Sequence, residues 1–306
     1  MRFGLLGTGY WAAEAHAAAL VAAPDTTLTA VWGRNPAKAS ALADRYGIHA
    51  YQDVDELIAA VDAVAIALPP HVQAPLAARA ARAGKHLFLD KPLALTVEAA
   101  DEVVAAVDAT GVGSVVFFTS RFNPPAADFL RRAVATGGWD GGRATLLGSL
   151  DGTPFDDSPW RHEYGGLWDV GPHALSLLIP VLGPVAGISA ALGPHQTATA
   201  LLRHDSGAVS TMTLSLASPI STWDVSFYGE SGWGSVPPVT DFVGAAVNAL
   251  AALTAGDRSC DVHFARDVVA VLVRAAAALA FEERVHVDDD HTGQPLPYGG
   301  QDGGLA

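Results

Sequence analysis

Cysteine is nearly absent: Cys260 is the single one in 306 residues. That excludes an intramolecular disulfide and any multi-cysteine metal centre, and it suits a reducing compartment. No nucleophile signature surrounds Cys260, so it reads as a small packed side chain. Positive charge is scarce as well, with 18 Lys and Arg against 32 Asp and Glu and a formal net charge of -14. Such a balance repels phosphate backbones and anionic bilayers, so neither nucleic acid nor a membrane surface is expected as a partner. Long uninterrupted hydrophobic runs are missing too. Residues 174–194 carry no charge, but Pro180, Gly183, Pro184, Gly187 and Gly193 break any membrane-spanning helix. At the N-terminus Gly7 and Gly9 interrupt the apolar run and Glu14 and His16 break up the alanine-rich stretch after it, so the start does not read as a secretion signal. A cytoplasmic protein is expected. Near the C-terminus, Asp288-Asp289-Asp290 reads as a solvated turn, because three adjacent carboxylates on one extended segment cannot converge on an ion. No metal is expected, and the glycine- and proline-rich stretch Thr292–Ala306 reads as a loose tail.

Apolar residues, by contrast, are plentiful. Half the chain is hydrophobic, enough at this length for two ordinary cores. The first 35 residues carry the strongest local pattern: a short apolar strand, Arg2 to Leu6, runs into Gly7-Thr8-Gly9-Tyr10-Trp11-Ala12 and then into an alanine-rich helix. In this G-x-G-x-x-A pattern Gly7 permits the tight turn, Gly9 lets backbone approach a pyrophosphate, and Ala12 allows close packing of helix on strand. The helix N-terminal amides then face the anion. An acidic residue at the end of the second strand would grip the ribose 2′-hydroxyl of NAD, but that strand ends Gly33-Arg34-Asn35. Arg34 suits a 2′-phosphate, so NADP(H) is favoured over NAD(H), with an exposed charge at a strand end as the plain alternative.

Residues 1–120 alternate strand and helix patterns, with strands expected at 3–6, 28–32, 63–68, 86–89 and 114–119. This predicts an α/β domain of the Rossmann type, a parallel sheet covered on both faces, with ligands bound beyond the carboxyl ends of its strands. Beyond Arg121 the rhythm changes. Helices are expected at 126–136 and 171–182, period-two strands at 143–150, 198–204, 208–216 and 223–228, and two alanine-rich helices at 241–255 and 263–281. Residues 121–306 therefore read as an α+β domain with an open-faced, largely antiparallel sheet. A homodimer or homotetramer packed through that face would cover it.

Two places carry candidate chemistry. Asp90-Lys91-Pro92 follows the fourth of these strands, where a lysine projects toward the meeting place of cofactor and substrate and could stabilise alkoxide-like charge. A surface lysine before a turn-forming proline is the alternative. The second place, Gly165 to His173, sets Asp169 and His173 four apart at a helix start, where both can share one face. Histidine can exchange a proton with a substrate hydroxyl near neutral pH, and the carboxylate can orient substrate or imidazole. Equally, Asp169 could cap the helix and His173 could be a packed core residue.

These stretches resemble those of the glucose-fructose oxidoreductase, inositol dehydrogenase and rhizopine-catabolism family (Gfo/Idh/MocA). The resemblance rests on the N-terminal G-x-G-x-x-A, on His86 to Pro92 with its lysine-proline pair, on Arg121-Phe122-Asn123-Pro124, and on Gly165 to His173. It implies reversible hydride transfer on sugars, cyclic polyols or related carbonyls, with Lys91 as catalytic lysine, His173 as acid/base and Asp169 as an orienting carboxylate. Cofactor contacts are then expected from Gly7, Gly9, Ala12, Gly33, Arg34, Asn35, Pro69, Asp90 and Lys91. Arg121, Trp160 and Arg161 are candidate substrate contacts. Three positions depart from the family pattern: Asp90 replaces a glutamate, Ser176 an aspartate and Gln73 a frequent histidine. The expected function is an NADP(H)-dependent oxidoreductase acting on CH-OH groups. The alternatives are a catalytically silent dinucleotide-binding regulator and an NAD-dependent redox-assisted glycosidase.

Overall fold

The computed structural model describes residues 1–282. The tail at 292–306 and the run Asp288–Asp290 lie outside them. Strands β1 (Arg2–Leu6), β2 (Thr27–Trp32), β3 (His49–Tyr51), β4 (Ala63–Ile66), β5 (His86–Leu89) and β6 (Ser114–Val116) form one sheet in the order β3-β2-β1-β4-β5-β6. Every neighbouring pair in it is parallel. The β4 residues are buried on both faces, so the strand is a continuous apolar run rather than an alternating one. Helices α1 (Ala18–Ala22), α2 (Pro36–Tyr46), α3 (Val54–Ala60), α4 (Pro70–Arg82) and α5 (Val97–Thr110) connect these strands, with a π-wound stretch, Ala12–Ala17, leading into α1. Local chemistry sets their ends. Asn35, Asp53 and Thr96 accept backbone N–H bonds as N-caps, and Gly47 and Gly111 close α2 and α5 in the left-handed conformation. The strand expected at 114–119 stops at Val116, and the short α6 (Thr119–Phe122) comes next.

The second half begins with α7 (Pro124–Thr136), β7 (Trp139–Ser149), α8 (Pro159–Asp169) and α9 (Gly171–Leu182). Then come β8 (Val185–Gly193), β9 (Thr197–His204), β10 (Val209–Ser215), β11 (Ala217–Gly229) and β12 (Gly232–Ser235), before α10 (Phe242–Ala255) and α11 (Val262–Glu282). The sheet order is β12-β11-β7-β10-β9-β8, antiparallel except for the parallel pair β7–β10. Burial alternates along β9, with Ala198, Ala200 and Leu202 facing the helices and Thr199, Leu201 and Arg203 facing out. Strand β3 of the first sheet was not expected from the sequence, and neither were β8 and β12 here. The last two are rich in small residues with little intrinsic strand preference, and pairing with β9 and β11 supplies what composition does not. The open face carries Leu201, Val209, Tyr228 and Trp233, the last two stacked at 5.9 Å. Helix α10 packs against α1 and the π-wound stretch, and α11 against both α5 and β8, so the second half braces the first.

One buried group strains this core. His16, in the π-wound stretch, is fully buried with no partner for either ring nitrogen, its ring 4.7 Å from that of Phe88. His204, by contrast, pairs one ring nitrogen with the Gly183 carbonyl and the other with the Ser210 hydroxyl. Burial pushes the His16 imidazole down from 6.5 to about 3. A folded-state value below the unfolded one means that protons favour the unfolded chain, so stability is full above pH 6.5 and falls as pH drops toward 3. At pH 4.5 the expected loss is about 2–3 kcal/mol. Urea unfolding at pH 7 and 4.5 checks this: His16→Leu should lose less stability on acidification than the parent by about that amount, and equal losses would refute it.

Candidate active site

Between β1 and β4 the strand order reverses direction, which opens a crevice beyond their carboxyl ends. The glycine turn lies there. Gly7 has φ 135°, its amide donates to the Trp32 carbonyl at 2.9 Å, and a Cβ on it would lie 2.5 Å from the Ala67 oxygen. No side chain other than glycine fits. A Cβ on Gly9 would meet nothing within 4 Å, so this backbone faces open space of the kind a pyrophosphate enters. Gly33 brings the end of β2 against Thr8, where a Cβ would lie 2.6 Å from Thr8 Cγ2. Ala12 is buried beneath the turn, and Pro69 precedes α4 at the carboxyl end of β4. Arg34 is exposed and makes no ion pair among the described residues, while the Asn35 side chain accepts the Lys38 amide at 3.1 Å to cap α2. The turn, the open space and the helix start together fit a dinucleotide.

The chemistry-bearing residues meet in a cleft of about 370 Å³. Lys91 Nζ donates to Asp169 Oδ1 and to the Asp169 carbonyl, both at 2.7 Å. The two side chains are only 10% and 12% exposed, so Lys91 is no surface lysine. Asp169 ends α8, and the capping position of α9 belongs to Val170, so Asp169 is not a helix cap. Arg161 Nε stands 3.3 Å from the same Oδ1, as an ion pair without hydrogen-bond geometry. Burial alone would raise the Asp169 carboxyl, but Lys91 and Arg161 together pull it down to about 2. Asp90 is the opposite case: burial outweighs the same two cations and raises it to about 6, and its Oδ1 has no partner. His173, in the first turn of α9, is held well below its ordinary value by burial and by Lys91, so the imidazole is neutral. Its Nδ1 is unpartnered and its ring lies 5.3 Å from that of Trp223.

The family model described as "Oxidoreductase family, NAD-binding Rossmann fold" matches residues 1–118, and the Gfo/Idh/MocA C-terminal domain matches residues 101–234. The chain belongs to the Gfo/Idh/MocA oxidoreductase family. Among its relatives, an inositol 2-dehydrogenase of Rhizobium meliloti (strain 1021) is 39% identical over 125 residues, covering 40% of this chain and 38% of that protein. A dTDP-3,4-didehydro-2,6-dideoxy-alpha-D-glucose 3-reductase of Streptomyces violaceoruber is 34% identical over 203 residues, covering 64% and 59%. The matched segments thus span from over a third to about three fifths of these relatives' length. The solved structure of a putative myo-inositol dehydrogenase from Sinorhizobium meliloti 1021 superposes with TM-score 0.79 at 23% identity, covering 92% of this chain and 98% of that one.

In this Gfo/Idh/MocA chain the remaining candidates separate. Arg161 reaches the cleft, but Arg121 and Trp160 are not among the residues lining it. Arg121 instead donates to the Ser176 carbonyl at 3.0 Å and lies over the Phe264 ring, which makes it a clasp at the junction. Trp160 is buried, with its ring 4.7 Å from the Arg161 guanidinium. Ser176 is fully buried and turns its hydroxyl back to the His173 carbonyl, away from any ligand. Other cleft residues had no signal in the sequence: Thr119 and Ser120 of α6, Phe155 and Trp223 reach it from three separate segments. No group of three or more metal-ligating side chains is present among the described residues.

Gln73 proves to be part of the cleft's support. Fully buried, its amide donates to the carbonyls of Asp90 at 2.7 Å and Pro92 at 3.0 Å, and its oxygen accepts the Asp90 amide at 3.0 Å. The segment that presents Lys91 is thereby fastened to α4. Gln73→Ala leaves these backbone groups unpaired and should lower stability by about 1–3 kcal/mol, read as a drop in the midpoint of thermal unfolding. Gln73→Glu, which sets a carboxylate against two carbonyl oxygens, should cost at least as much; an unchanged midpoint in both would contradict the clamp.

Proposed function

We propose that this protein is an NADP(H)-dependent oxidoreductase that moves a hydride between the nicotinamide and a carbinol or carbonyl carbon of a sugar, cyclic polyol or related compound. The observation that carries the reading is the Lys91–Asp169 pair standing with His173 in a cleft beside the dinucleotide crevice. Bound nicotinamide would supply or accept the hydride. An ammonium has three N–H donors, and two of those on Lys91 are spent on Asp169, leaving one for the substrate oxygen. That donor stabilises the negative charge that grows on the oxygen as hydride arrives. Asp169 stays ionised and holds the ammonium in place. His173, neutral, accepts the hydroxyl proton in the oxidising direction and returns it in the reducing one. In this reading residues 1–120 hold the cofactor, and residues 121–306 complete the substrate site and carry the surface for self-association. Lys91→Ala should lower turnover about a hundredfold or more while cofactor affinity changes little. Normal turnover would remove Lys91 from the mechanism.

The preference for NADP(H) rests on the end of β2. Gly33-Arg34-Asn35 offers no acidic residue to bind a ribose 2′-hydroxyl, Asn35 is spent on its cap, and the Arg34 guanidinium, without an ion pair among the described residues, suits a 2′-phosphate. Calorimetry should find NADP+ bound more tightly than NAD+, with Arg34→Ala weakening NADP+ about tenfold or more and NAD+ little. Equal loss for both cofactors would overturn this assignment.

Self-association is proposed through the open face of the second sheet, where Leu201 and Val209 stand exposed. A homodimer or homotetramer is expected in sedimentation. Leu201→Lys combined with Val209→Lys should shift it to smaller species, and a monomeric parent protein would dismiss the surface.

A further inference from the structure

We infer that the cleft accepts a sugar-like hydroxy compound bearing an apolar, ring-sized flank, of the aryl glycoside kind, in preference to a bare polyol. The inference rests on the hydride-transfer reading for the reacting end alone.

Three aromatic side chains from distant segments converge at the cleft. Trp11 belongs to the glycine turn, Phe155 to the connection between β7 and α8, and Phe242 opens α10. The Trp11 ring lies 6.4 Å from Phe155 and 5.8 Å from Phe242, and it is backed by Phe117 at 6.3 Å. A fourth ring, Trp223, borders the same cleft beside His173. Phe242 is 50% and Trp223 45% exposed, so large apolar surface stands in water at the mouth of a site that holds the only buried lysine–carboxylate pair among the described residues. Val239 and Pro238 continue that surface.

The polar lining does not match a molecule with a hydroxyl on every carbon. Lys91 and Asp169 are largely spent on one another. Arg161 is braced 4.3 Å from the Phe155 ring centroid, and its Nη1 donates to the Ser158 hydroxyl at 3.2 Å. The hydroxyls of Thr119 and Ser120, His173, the Asp90 carboxyl and the one remaining Lys91 donor are what is left for the substrate. Hydroxyls turned toward Phe155, Phe242 and Trp223 would find no hydrogen-bond partner on those rings. An aryl group there instead removes exposed carbon from water and meets ring edges and faces. Trp11 borders the cofactor's crevice, whereas Phe155, Trp223 and Phe242 all come from the second half of the chain, the side proposed to complete the substrate site.

The test uses the full chain with NADP+ and matched pairs of phenyl and methyl glycosides of several hexoses, with affinity read by calorimetry and by tryptophan fluorescence. The phenyl member should bind about tenfold more tightly than its methyl partner and quench the fluorescence. Phe242→Ala and Trp223→Ala should each reduce that ratio to about threefold or less. Equal affinity within the pairs, no binding of either member, or an undiminished ratio in both variants would overturn the inference. Affinity is read without turnover, so phenyl glycosides that bind tightly while no compound in the panel changes cofactor absorbance would strike the hydride-transfer reading and leave the apolar subsite supported.

Discussion

A buried ion pair joins the two halves of this molecule at the point where chemistry is expected. Lys91 comes just after β5 of the parallel sheet and Asp169 ends α8 in the second half, and they meet at 2.7 Å with little access to solvent. Taking both charges out of water is costly, and their attraction offsets that cost only with good geometry and further hydrogen bonds. Here the second bond, from Nζ to the Asp169 carbonyl, supplies it. Such a pair adds little net stability, yet removing one partner strands a buried charge. Its physical consequence is positional: one ammonium, aimed by a carboxylate from another segment, keeps a single donor free at a fixed place.

Other features maintain that arrangement. Gln73 fastens the backbone at Asp90 and Pro92, so the lysine leaves a segment that is hydrogen-bonded rather than loose. Arg121 clasps α9 through the Ser176 carbonyl, one turn beyond His173. Helices α10 and α11 pack across onto the first half, against α1 and α5. The same crowding sets the local electrostatics. Asp169 is ionised because two cations face it, Asp90 is raised because its burial outweighs the pull of the same two cations, and His173 is neutral because it is buried near a lysine. Three titratable groups within one cleft thus have their affinities for protons driven apart, a property of acid–base sites.

The apolar side of the cleft gives the site a second character. Trp11, Phe155 and Phe242 make an aromatic wall, and Trp223 faces His173. The relatives named inositol 2-dehydrogenase and dideoxy-sugar 3-reductase match this chain over 125 and 203 residues. Side chains on connecting segments of the second half, Phe155 above all, are where one scaffold can change its substrate while its reacting group stays in place.

Much of this was legible along the chain. Gly7, Gly9 and Ala12 could be read because each answers a short-range demand: a positive φ, an open approach, a close packing. The parallel sheet could be inferred from runs of apolar residues alternating with helical periods, and α9 from its limits at Gly171 and Leu182. Lys91 and Asp169 could be singled out as candidates, but nothing in their spacing showed that they bond each other across 78 positions. Strands β8 and β12 escaped because small residues signal little until a neighbour pairs with them. Gln73 and Ser176, noted as departures from the family pattern, turned out to be spent on backbone, a matter of which way a side chain points. What sequence alone determined is therefore whatever depends on a few consecutive residues: the dinucleotide turn and the strand and helix runs with a clear periodicity. The ion pair, the proton affinities of its neighbours and the aromatic wall were decided by tertiary structure, because each is an interaction among groups that only folding brings within a few ångströms.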